Sequence, residues 1–214
     1  MKIFIVSLLF SFSLAACAQQ AKTAVTIPVG DPKPSNGKEA VANFAEGCFW
    51  HAEIVFQSLN GVRDAVSGYA GGTDTSPSYE KVAMGETGHA ETVQVYYDPT
   101  KISYETLVAA FFASQDPTTL NRQGNDEGTE YRSIAFYRTA EEKQVIEKTI
   151  QQLTSAKKYT RKIVTEVVPF KHFYPAEDYH QEYILHNPDN SYVRNVSIPD
   201  FLEFKASFKG SFKN

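Results

Sequence analysis

Strand-like and helix-like segments alternate along the chain from residue 39 onward, and this alternation constrains the fold more than any other feature of the sequence. Residues 92–97 place Val93, Val95 and Tyr97 on one face, which is typical of a strand with two dissimilar faces. Residues 107–112 instead repeat apolar side chains at helical spacing. Because strands and helices are mixed, we predict an α+β fold: a single two-layer α/β sandwich with a ferredoxin-like core, in which helices pack against one mixed sheet.

The other predicted elements follow from the same periodicities and from residues that favour helix ends. Ser103 and Thr139 are predicted helix N-caps, and Glu142 completes a capping box with Thr139. Pro175 fits the first turn of a helix that ends near residue 185. Further strands are predicted at residues 41–45, 62–69, 131–137 and 163–168, and a further helix after Cys48.

The composition is that of a soluble globular protein, with 42% apolar and 21% charged side chains among 214 residues. At roughly 100 to 200 residues per domain, this length favours one domain with a sizeable core. The net charge of −4 provides no electrostatic reason to expect a nucleic-acid partner. The two cysteines cannot form a disulfide scaffold.

The N-terminal residues have the pattern of an export signal. Residues 1–16 begin with Lys2, continue with an apolar run and end in two alanines, so we predict a signal peptide. The sequence Leu-Ala-Ala-Cys at 14–17 resembles the bacterial lipobox, which predicts lipidation of Cys17. An ordinary signal peptide with an unmodified Cys17 is the alternative.

This pattern sets the predicted domain boundaries and location. Residues 17–38 lack apolar periodicity and are predicted to be a tether between the lipid and the domain. The domain is predicted to span residues 39–214, with an irregular C-terminal tail from about residue 189. We expect a protein of the cell envelope that is anchored to a membrane by the lipid on Cys17 and faces the periplasm.

Cys48 is the first candidate for chemistry, because it follows a predicted strand and precedes a predicted helix. The positive end of a helix dipole and its free N–H groups favour a thiolate, so we expect a depressed pKa and a nucleophilic sulfur. A small buried hydrophobic residue is the alternative interpretation of a lone cysteine.

Six motifs connect Cys48 to a known family. They are Gly-Cys-Phe-Trp at 47–50, Ser-Gly-Tyr-Ala-Gly-Gly at 67–72, Tyr-Glu-Lys-Val at 79–82, Gly-His-Ala-Glu at 88–91, Gly-Asn-Asp-Glu-Gly-Thr-Glu-Tyr-Arg-Ser at 124–133 and Tyr-Pro-Ala-Glu-Asp-Tyr-His-Gln at 174–181. In this order they resemble the motifs of peptide methionine sulfoxide reductases of the A type. The resemblance extends from about residue 41 to residue 196.

The resemblance implies a set of catalytic residues. Cys48 would be the thiolate that attacks the sulfoxide sulfur and becomes a sulfenic acid. Glu91 would be the acid that protonates or hydrogen-bonds the sulfoxide oxygen, assisted by the phenols of Tyr79 and Tyr131. A carboxyl group acts as an acid near neutral pH only if burial raises its pKa, which we expect in aromatic surroundings.

The resemblance also implies a substrate pocket. Phe49 and Trp50 would line the slot for the methyl group, and Asp126 would orient the substrate or a water molecule. Each of these side chains has an ordinary structural interpretation, such as a core aromatic or a solvated loop charge. His180 is interpreted as a nearby structural hydrogen-bond donor and is left out of catalysis.

Two departures from the family pattern affect the expected chemistry. His51 stands where a small residue is expected, and no role follows for it. Residues 191–214 contain no cysteine, whereas many family members have resolving cysteines there. The resemblance therefore implies an external thiol reductant, either a small thiol or a thioredoxin-like protein, and no cofactor. The expected substrates are free methionine S-sulfoxide and oxidised methionines of envelope proteins.

Two other functions remain open at this point, and a third is excluded by the sequence. A papain-like hydrolase is suggested by His180, which follows Cys48 by 132 residues, although the local cysteine motif differs. A zinc deaminase is suggested by His89 and Glu91, but its cysteine pair is missing. The histidines are scattered, so we predict no metal site. A lipid-anchored module that binds thioethers is the non-enzymatic alternative.

Overall fold

The computed structural model describes residues 39–213. The predicted signal peptide at 1–16, the lipidation site Cys17 and the tether at 17–38 lie outside the described residues. None of the helices described within 39–213 combines the length and the apolar character that a bilayer span requires.

The described residues form eight strands and six α-helices. The strands are β1 Ala40–Glu46, β2 Val62–Ala70, β3 Ala90–Tyr97, β4 Arg122–Gln123, β5 Asp126–Glu127, β6 Ser133–Tyr137, β7 Glu166–Pro169 and β8 Phe173–Pro175. The helices are α1 Phe49–Gln57, α2 Tyr79–Ala83, α3 Tyr104–Ala113, α4 Ala140–Ser155, α5 Tyr183–His186 and α6 Ile198–Ser207. A π-helix at Val193–Ser197 leads directly into α6.

Six of the strands form one sheet in the order β7-β6-β1-β3-β2-β8. All neighbouring pairs are antiparallel except β6 and β7, which are parallel, so the sheet is mixed. The four central strands, with α1 between β1 and β2 and α3 between β3 and β6, have the chain order and strand order of a ferredoxin-like core. The predicted α+β fold is confirmed.

The main core lies between one face of the sheet and the helices. Phe44 of β1 stacks on Phe56 of α1 and Phe111 of α3, with ring centroids 5.1 and 5.2 Å apart. On β3, Val93 and Val95 are completely buried, as their alternation predicts. Each completely buried side chain of this size contributes about 1.5–3 kcal/mol to folding. This core fixes the end of β1 and the start of α1, where Cys48 lies.

Two predicted helix caps are present. Ser103 Oγ accepts a hydrogen bond from the backbone N–H of Thr106. Thr139 Oγ1 accepts one from the N–H of Glu142. The Glu142 carboxylate accepts its hydrogen bond from the N–H of Arg138, one residue before the expected partner. The capping pattern therefore predicts both helix starts, with a small shift in the second half of the capping box.

The predicted helix at Pro175 is wrong. Residues Phe173–Pro175 form β8, in which Pro175 pairs with Gly68. Because β8 is an edge strand of the sheet, the missing N–H of Pro175 is tolerated there. A Cβ on Gly68 would come within 2.4 Å of the Tyr174 carbonyl oxygen, so glycine permits this close pairing. The predicted strand at 163–168 is shorter and later than expected, at Glu166–Pro169.

The predicted irregular tail from about residue 189 is also wrong. The π-helix and α6 occupy most of this segment, and Phe201 and Phe204 bury their rings against the core. Pro199 lies in the first turn of α6, where its missing N–H is tolerated. The spacing of Val193, Phe201 and Phe204 is compatible with a helix that continues from the π-helix into α6. This apolar spacing is the sequence signal by which the helix could have been predicted.

Candidate active site

Cys48 occupies the junction between β1 and α1. It is the N-cap of α1, as predicted, and its side chain is partly exposed. The preceding Gly47 has a φ of +93°, and a Cβ there would lie 2.6 Å from Cβ of Gln123, so only glycine fits this turn. The backbone N–H groups of Trp50 and His51 hydrogen-bond the sulfur. The turn therefore directs the thiol toward the start of α1.

A cavity of about 300 Å³ opens at this thiol. All seven residues predicted for catalysis or substrate binding line it. They are Cys48, Phe49, Trp50, Tyr79, Glu91, Asp126 and Tyr131. Asn190 and Tyr192 line it as well and were not predicted. Residues from the start of α1, from α2, from β3, from β5 and from the C-terminal segment thus meet at one cavity.

Glu91 on β3 is the buried acid of this cavity. Its Oε2 accepts a hydrogen bond of 2.9 Å from the backbone N–H of Phe49. Burial raises the pKa of Glu91 to about 8, the Phe49 N–H opposes this change, and the charges of Asp126 and Glu130 add to it. At neutral pH the Glu91 carboxyl group is therefore mostly protonated and can donate a proton.

The pKa of Cys48 shifts in the direction opposite to the prediction. Burial raises the pKa of the thiol, and the charge of Glu91 raises it further. The N–H groups of Trp50 and His51 lower it, but burial has the larger effect. The Cys48 thiol is therefore protonated at neutral pH, and the expectation of a depressed pKa is corrected.

The two phenols predicted from the motifs, Tyr79 and Tyr131, are protonated. Burial, with Glu91 and Cys48 nearby, raises the pKa of Tyr79 to about 12. The pKa of Tyr131 is raised further by burial and by the charge of Glu91. Both hydroxyl groups are therefore hydrogen-bond donors at any physiological pH.

The apolar wall of the cavity is held in place by a neighbouring histidine. Trp50 stacks on Tyr183 with ring centroids 3.7 Å apart, and its Nε1–H donates a hydrogen bond of 3.1 Å to Nδ1 of His180. Phe49 lies beside the same histidine, with ring centroids 5.0 Å apart. The predicted structural role of His180 as a donor is corrected, because its Nδ1 accepts from Trp50.

The motifs do not predict Tyr192, whose hydroxyl lies at the centre of the cavity's polar contacts. Its hydroxyl donates a hydrogen bond of 2.5 Å to Oδ2 of Asp126 and lies within hydrogen-bonding range of the Cys48 sulfur. It belongs to the segment predicted to be irregular, and none of the motifs includes it. The π-helix that begins at Val193 brings this phenol to the cavity.

With this geometry established, the comparisons with known proteins identify the family. A family model described as peptide methionine sulfoxide reductase matches residues 40–211. The chain belongs to this family. A protein of Pasteurella multocida named peptide methionine sulfoxide reductase MsrA is 50% identical over 172 residues, which cover 80% of this chain and 98% of that protein. The family resemblance of the motifs is confirmed, and the protein is a methionine sulfoxide reductase.

Solved structures agree with this assignment. The crystal structure of Mxr1 from Saccharomyces cerevisiae in reduced form is 38% identical, with a TM-score of 0.68, and the match covers 74% of this chain and 91% of that one. Another crystal structure of Mxr1, in complex with Trx2, matches with 29% identity and a TM-score of 0.50 over 71% of this chain and 88% of that one.

The histidines of this reductase have structural surroundings. His89 Nδ1 accepts from the N–H of Gly72, and its Nε2 lies 2.8 Å from the carbonyl oxygen of Asp74, so both ring nitrogens are used by backbone groups. His180 does not line the Cys48 cavity, which disfavours a hydrolase dyad. In residues 39–213 no group of three or more His, Cys, Asp or Glu side chains could hold a metal ion.

His51 does not line this cavity at Cys48. Its buried ring lies near the backbone of Ser114 and Ser197, between the end of α3 and the start of α6. Burial lowers the pKa of His51, so the ring is neutral at neutral pH. The residue that departs from the family pattern therefore lies at the contact between α3 and the start of α6.

Proposed function

We propose that this methionine sulfoxide reductase uses the Cys48 thiol as its nucleophile and Glu91 as its proton donor, and that it depends on an external thiol. The observation that carries this proposal is a protonated, buried carboxyl group in the same cavity as the partly exposed Cys48. Reduction of a sulfoxide requires both groups, because oxygen leaves sulfur only when it is protonated or hydrogen-bonded.

The proposed step conserves atoms and electrons. The sulfur of Cys48 attacks the sulfoxide sulfur while the Glu91 carboxyl group donates its proton to the sulfoxide oxygen. The oxygen then transfers to the Cys48 sulfur, methionine leaves as the thioether, and the original thiol proton returns to Glu91. The methionine sulfur is reduced by two electrons, and Cys48 is oxidised to a sulfenic acid.

The surrounding side chains bind the two ends of the sulfoxide. The hydroxyl groups of Tyr79 and Tyr131 donate hydrogen bonds to the oxygen. Phe49 and Trp50 contact the methyl group, and Asp126, fixed by the hydrogen bond from Tyr192, orients the substrate. The cavity binds the methyl group on its aromatic side and the sulfoxide oxygen on its Glu91 side, so it accepts one epimer at sulfur. The family resemblance implies that this is the S epimer.

The sulfenic acid is reduced by a thiol from outside the chain. Cys48 is the one cysteine within the described residues, and Cys17 is consumed if it is lipidated. A thioredoxin-like partner is supported by the similarity to Mxr1, which has been crystallised in complex with Trx2. Such a partner, or a small thiol, forms a mixed disulfide with Cys48 and then releases it.

The proposed location follows from the N-terminal sequence. A lipid on Cys17 would place the enzyme on a membrane of the cell envelope, with the domain in the periplasm. The substrates are then oxidised methionines of envelope proteins, together with free methionine sulfoxide in that compartment.

A single-turnover assay tests the proposed chemistry. The enzyme is mixed, without reductant, with the separated S and R epimers of a methionine sulfoxide peptide. We expect one methionine per chain from the S epimer, none from the R epimer, and a dimedone adduct at Cys48. Cys48→Ser, which has nearly the same volume, serves as the control and is expected to form no methionine. Methionine formation by this variant contradicts the proposal.

A further inference from the structure

A second and larger cavity reaches the same cysteine from another direction. It has a volume of about 670 Å³ and lies between the end of α3, the β4–β5 hairpin and α6. Cys48, Asp126 and Tyr192 line both cavities. Glu91, Tyr79 and Tyr131 line only the smaller cavity.

The residues shared by the two cavities contact one another. The Tyr192 hydroxyl donates a hydrogen bond to Asp126 and lies within hydrogen-bonding range of the Cys48 sulfur, and all three residues line both cavities. The sulfur is therefore accessible from the Glu91 side and from the α6 side. A volume of this size accommodates a small molecule.

Buried polar groups border the second cavity. Glu46 is 1% exposed, and its Oε2 accepts a hydrogen bond of 3.0 Å from Ser114 Oγ. Its Oε1 is buried and has no hydrogen-bond partner among residues 39–213. Oε1 of Gln115, which also lines the cavity, is buried and without a partner within the same residues. A buried polar atom without a partner is costly, so both groups favour a polar ligand.

The remaining lining indicates the chemical class of this ligand. Phe204 and Tyr159 provide aromatic walls. Charged side chains of both signs also line the cavity, namely Lys158, Lys209, Asp116, Asp200 and Glu203. A ligand that suits these groups has amide groups for the buried oxygens, charged groups of both signs and a short apolar stretch. Short cysteinyl peptides have these features and carry a thiol.

We infer that the second cavity binds the reductant, a low-molecular-weight cysteinyl thiol, and delivers it to oxidised Cys48. The inference rests on the proposed function, since it presupposes a sulfenic acid at Cys48.

The geometry of displacement at sulfur supports this direction of entry. A thiol displaces the sulfenic oxygen most readily when it approaches along the line of the S–O bond from the far side. The oxygen arrives from the Glu91 side, so the reductant must approach from another side, and the second cavity provides one. The reaction R–SH + Cys48–SOH gives Cys48–S–S–R and water. A second R–SH then releases the Cys48 thiol and forms R–S–S–R.

A blocking substitution tests the inference. Ala113 is exposed at the end of α3 and lines the second cavity, whereas Ala206 is exposed on α6 and does not line it. The variants Ala113→Trp and Ala206→Trp add the same side chain at these two positions. Cys48 is oxidised in a single turnover, substrate is removed, and the loss of sulfenic acid is followed at increasing concentrations of the dipeptide cysteinylglycine.

The expected result is saturable reduction of the wild-type protein by cysteinylglycine. In Ala113→Trp, the thiol is misplaced or excluded. The maximal rate constant for loss of the Cys48 sulfenic acid, divided by the cysteinylglycine concentration that gives half of that rate, therefore falls at least about tenfold. Ala206→Trp retains the wild-type value. Gln115→Met provides a second variant, in which removal of the amide raises the half-saturating concentration.

The first half-reaction separates this inference from the proposed function. If wild-type protein yields no methionine in a single turnover, the proposed function fails before any thiol is added. If wild-type turnover is normal but Ala113→Trp is reduced by cysteinylglycine as fast as Ala206→Trp, the inference alone is overturned. It is also overturned if Ala113→Trp loses the single turnover itself, because the cavity then binds the sulfoxide substrate.

Discussion

At the scale of single residues, the site depends on a carboxyl group whose protonation is set by its surroundings. The identity of Glu91 is visible in the motif at 88–91, but its pKa of about 8 arises from burial on β3 beside Asp126 and Glu130. The same burial opposes ionisation of Cys48. Proton donation and nucleophilic attack are therefore coupled, since an ionised Glu91 would make the thiolate still less favourable.

Replacement of Glu91 by glutamine tests this coupling. Glu91→Gln retains the shape of the side chain and removes the transferable proton, so the single-turnover rate constant is expected to fall by roughly 10²–10⁴-fold. In the wild-type protein, the acid form predominates below a pKa of about 8, so the rate constant should be constant up to about pH 7 and decrease above pH 8. A stopped-flow pH series measures both. An unchanged rate constant in Glu91→Gln would show that Glu91 is structural.

The hydrogen bond between Trp50 and His180 gives a second prediction at this scale. His180→Phe retains an aromatic ring but leaves the Trp50 Nε1–H without its acceptor, at a cost of about 1–3 kcal/mol. We expect KM for the sulfoxide peptide to increase more than kcat decreases, because the methyl pocket is distorted and the proton donors are retained. His172→Phe is the matched control, since His172 is exposed and does not line the Cys48 cavity. A kcat effect alone would contradict a positioning role.

At the scale of elements, α1 is attached to the rest of the fold by a buried carboxyl group. Glu53 accepts hydrogen bonds from Ser67 Oγ on β2 and, at Oε1, from the backbone N–H of Glu182 before α5. It is 3% exposed, and burial raises the pKa of Glu53 to about 8. The Glu53 carboxyl group thus links three elements in its neutral form.

This link predicts a pH dependence of stability. The folded pKa of about 8 lies above the ordinary value of 4.5, so the native state retains the proton between these values and the unfolded state does not. The contribution of Glu53 is complete below about pH 4.5 and decreases as pH rises toward 8, by up to about 1.4 kcal/mol per pH unit. Glu53→Gln cannot ionise, so its free energy of unfolding should fall less over this range. Urea unfolding at pH 5 and pH 8 measures the difference, with the exposed Glu86→Gln as control.

Elements were predicted best where their signals are local. The alternation on β3 and the caps at Ser103 and Thr139 depend only on neighbouring residues, and these predictions are confirmed. The helix predicted at Pro175 failed because β8 exists only by pairing with β2, and Gly68 on that strand lies far away in the sequence. The prediction of an irregular tail from about residue 189 is wrong for a related reason. Helix α6 is stabilised by burial of its phenylalanines against the core, which a local pattern does not show.

At the scale of the whole molecule, the location of the enzyme is predicted from residues outside the described part of the chain. If residues 1–16 are removed and Cys17 is lipidated, the mature protein begins at Cys17 and partitions into the detergent phase. Mass spectrometry of the N-terminal peptide measures this, and Cys17→Ser is expected to abolish the lipid while leaving the activity of the folded domain unchanged. An unmodified N-terminus, or a disulfide between Cys17 and Cys48, would contradict the lipid anchor and the dependence on an external thiol.

The sequence predicts the family, the α+β class and seven residues that line the Cys48 cavity, because ordered motifs and hydrophobic periodicity are local properties of a chain. The protonation and the contacts of those residues depend on the folded structure. It set the pKa of Glu91 and of Cys48, added Tyr192 to the cavity, assigned His180 to Trp50 and opened a second route to the sulfur. Protonation and access depend on burial and on contacts between segments that are distant in the chain, so a motif that names a residue leaves its charge state and its neighbours undetermined.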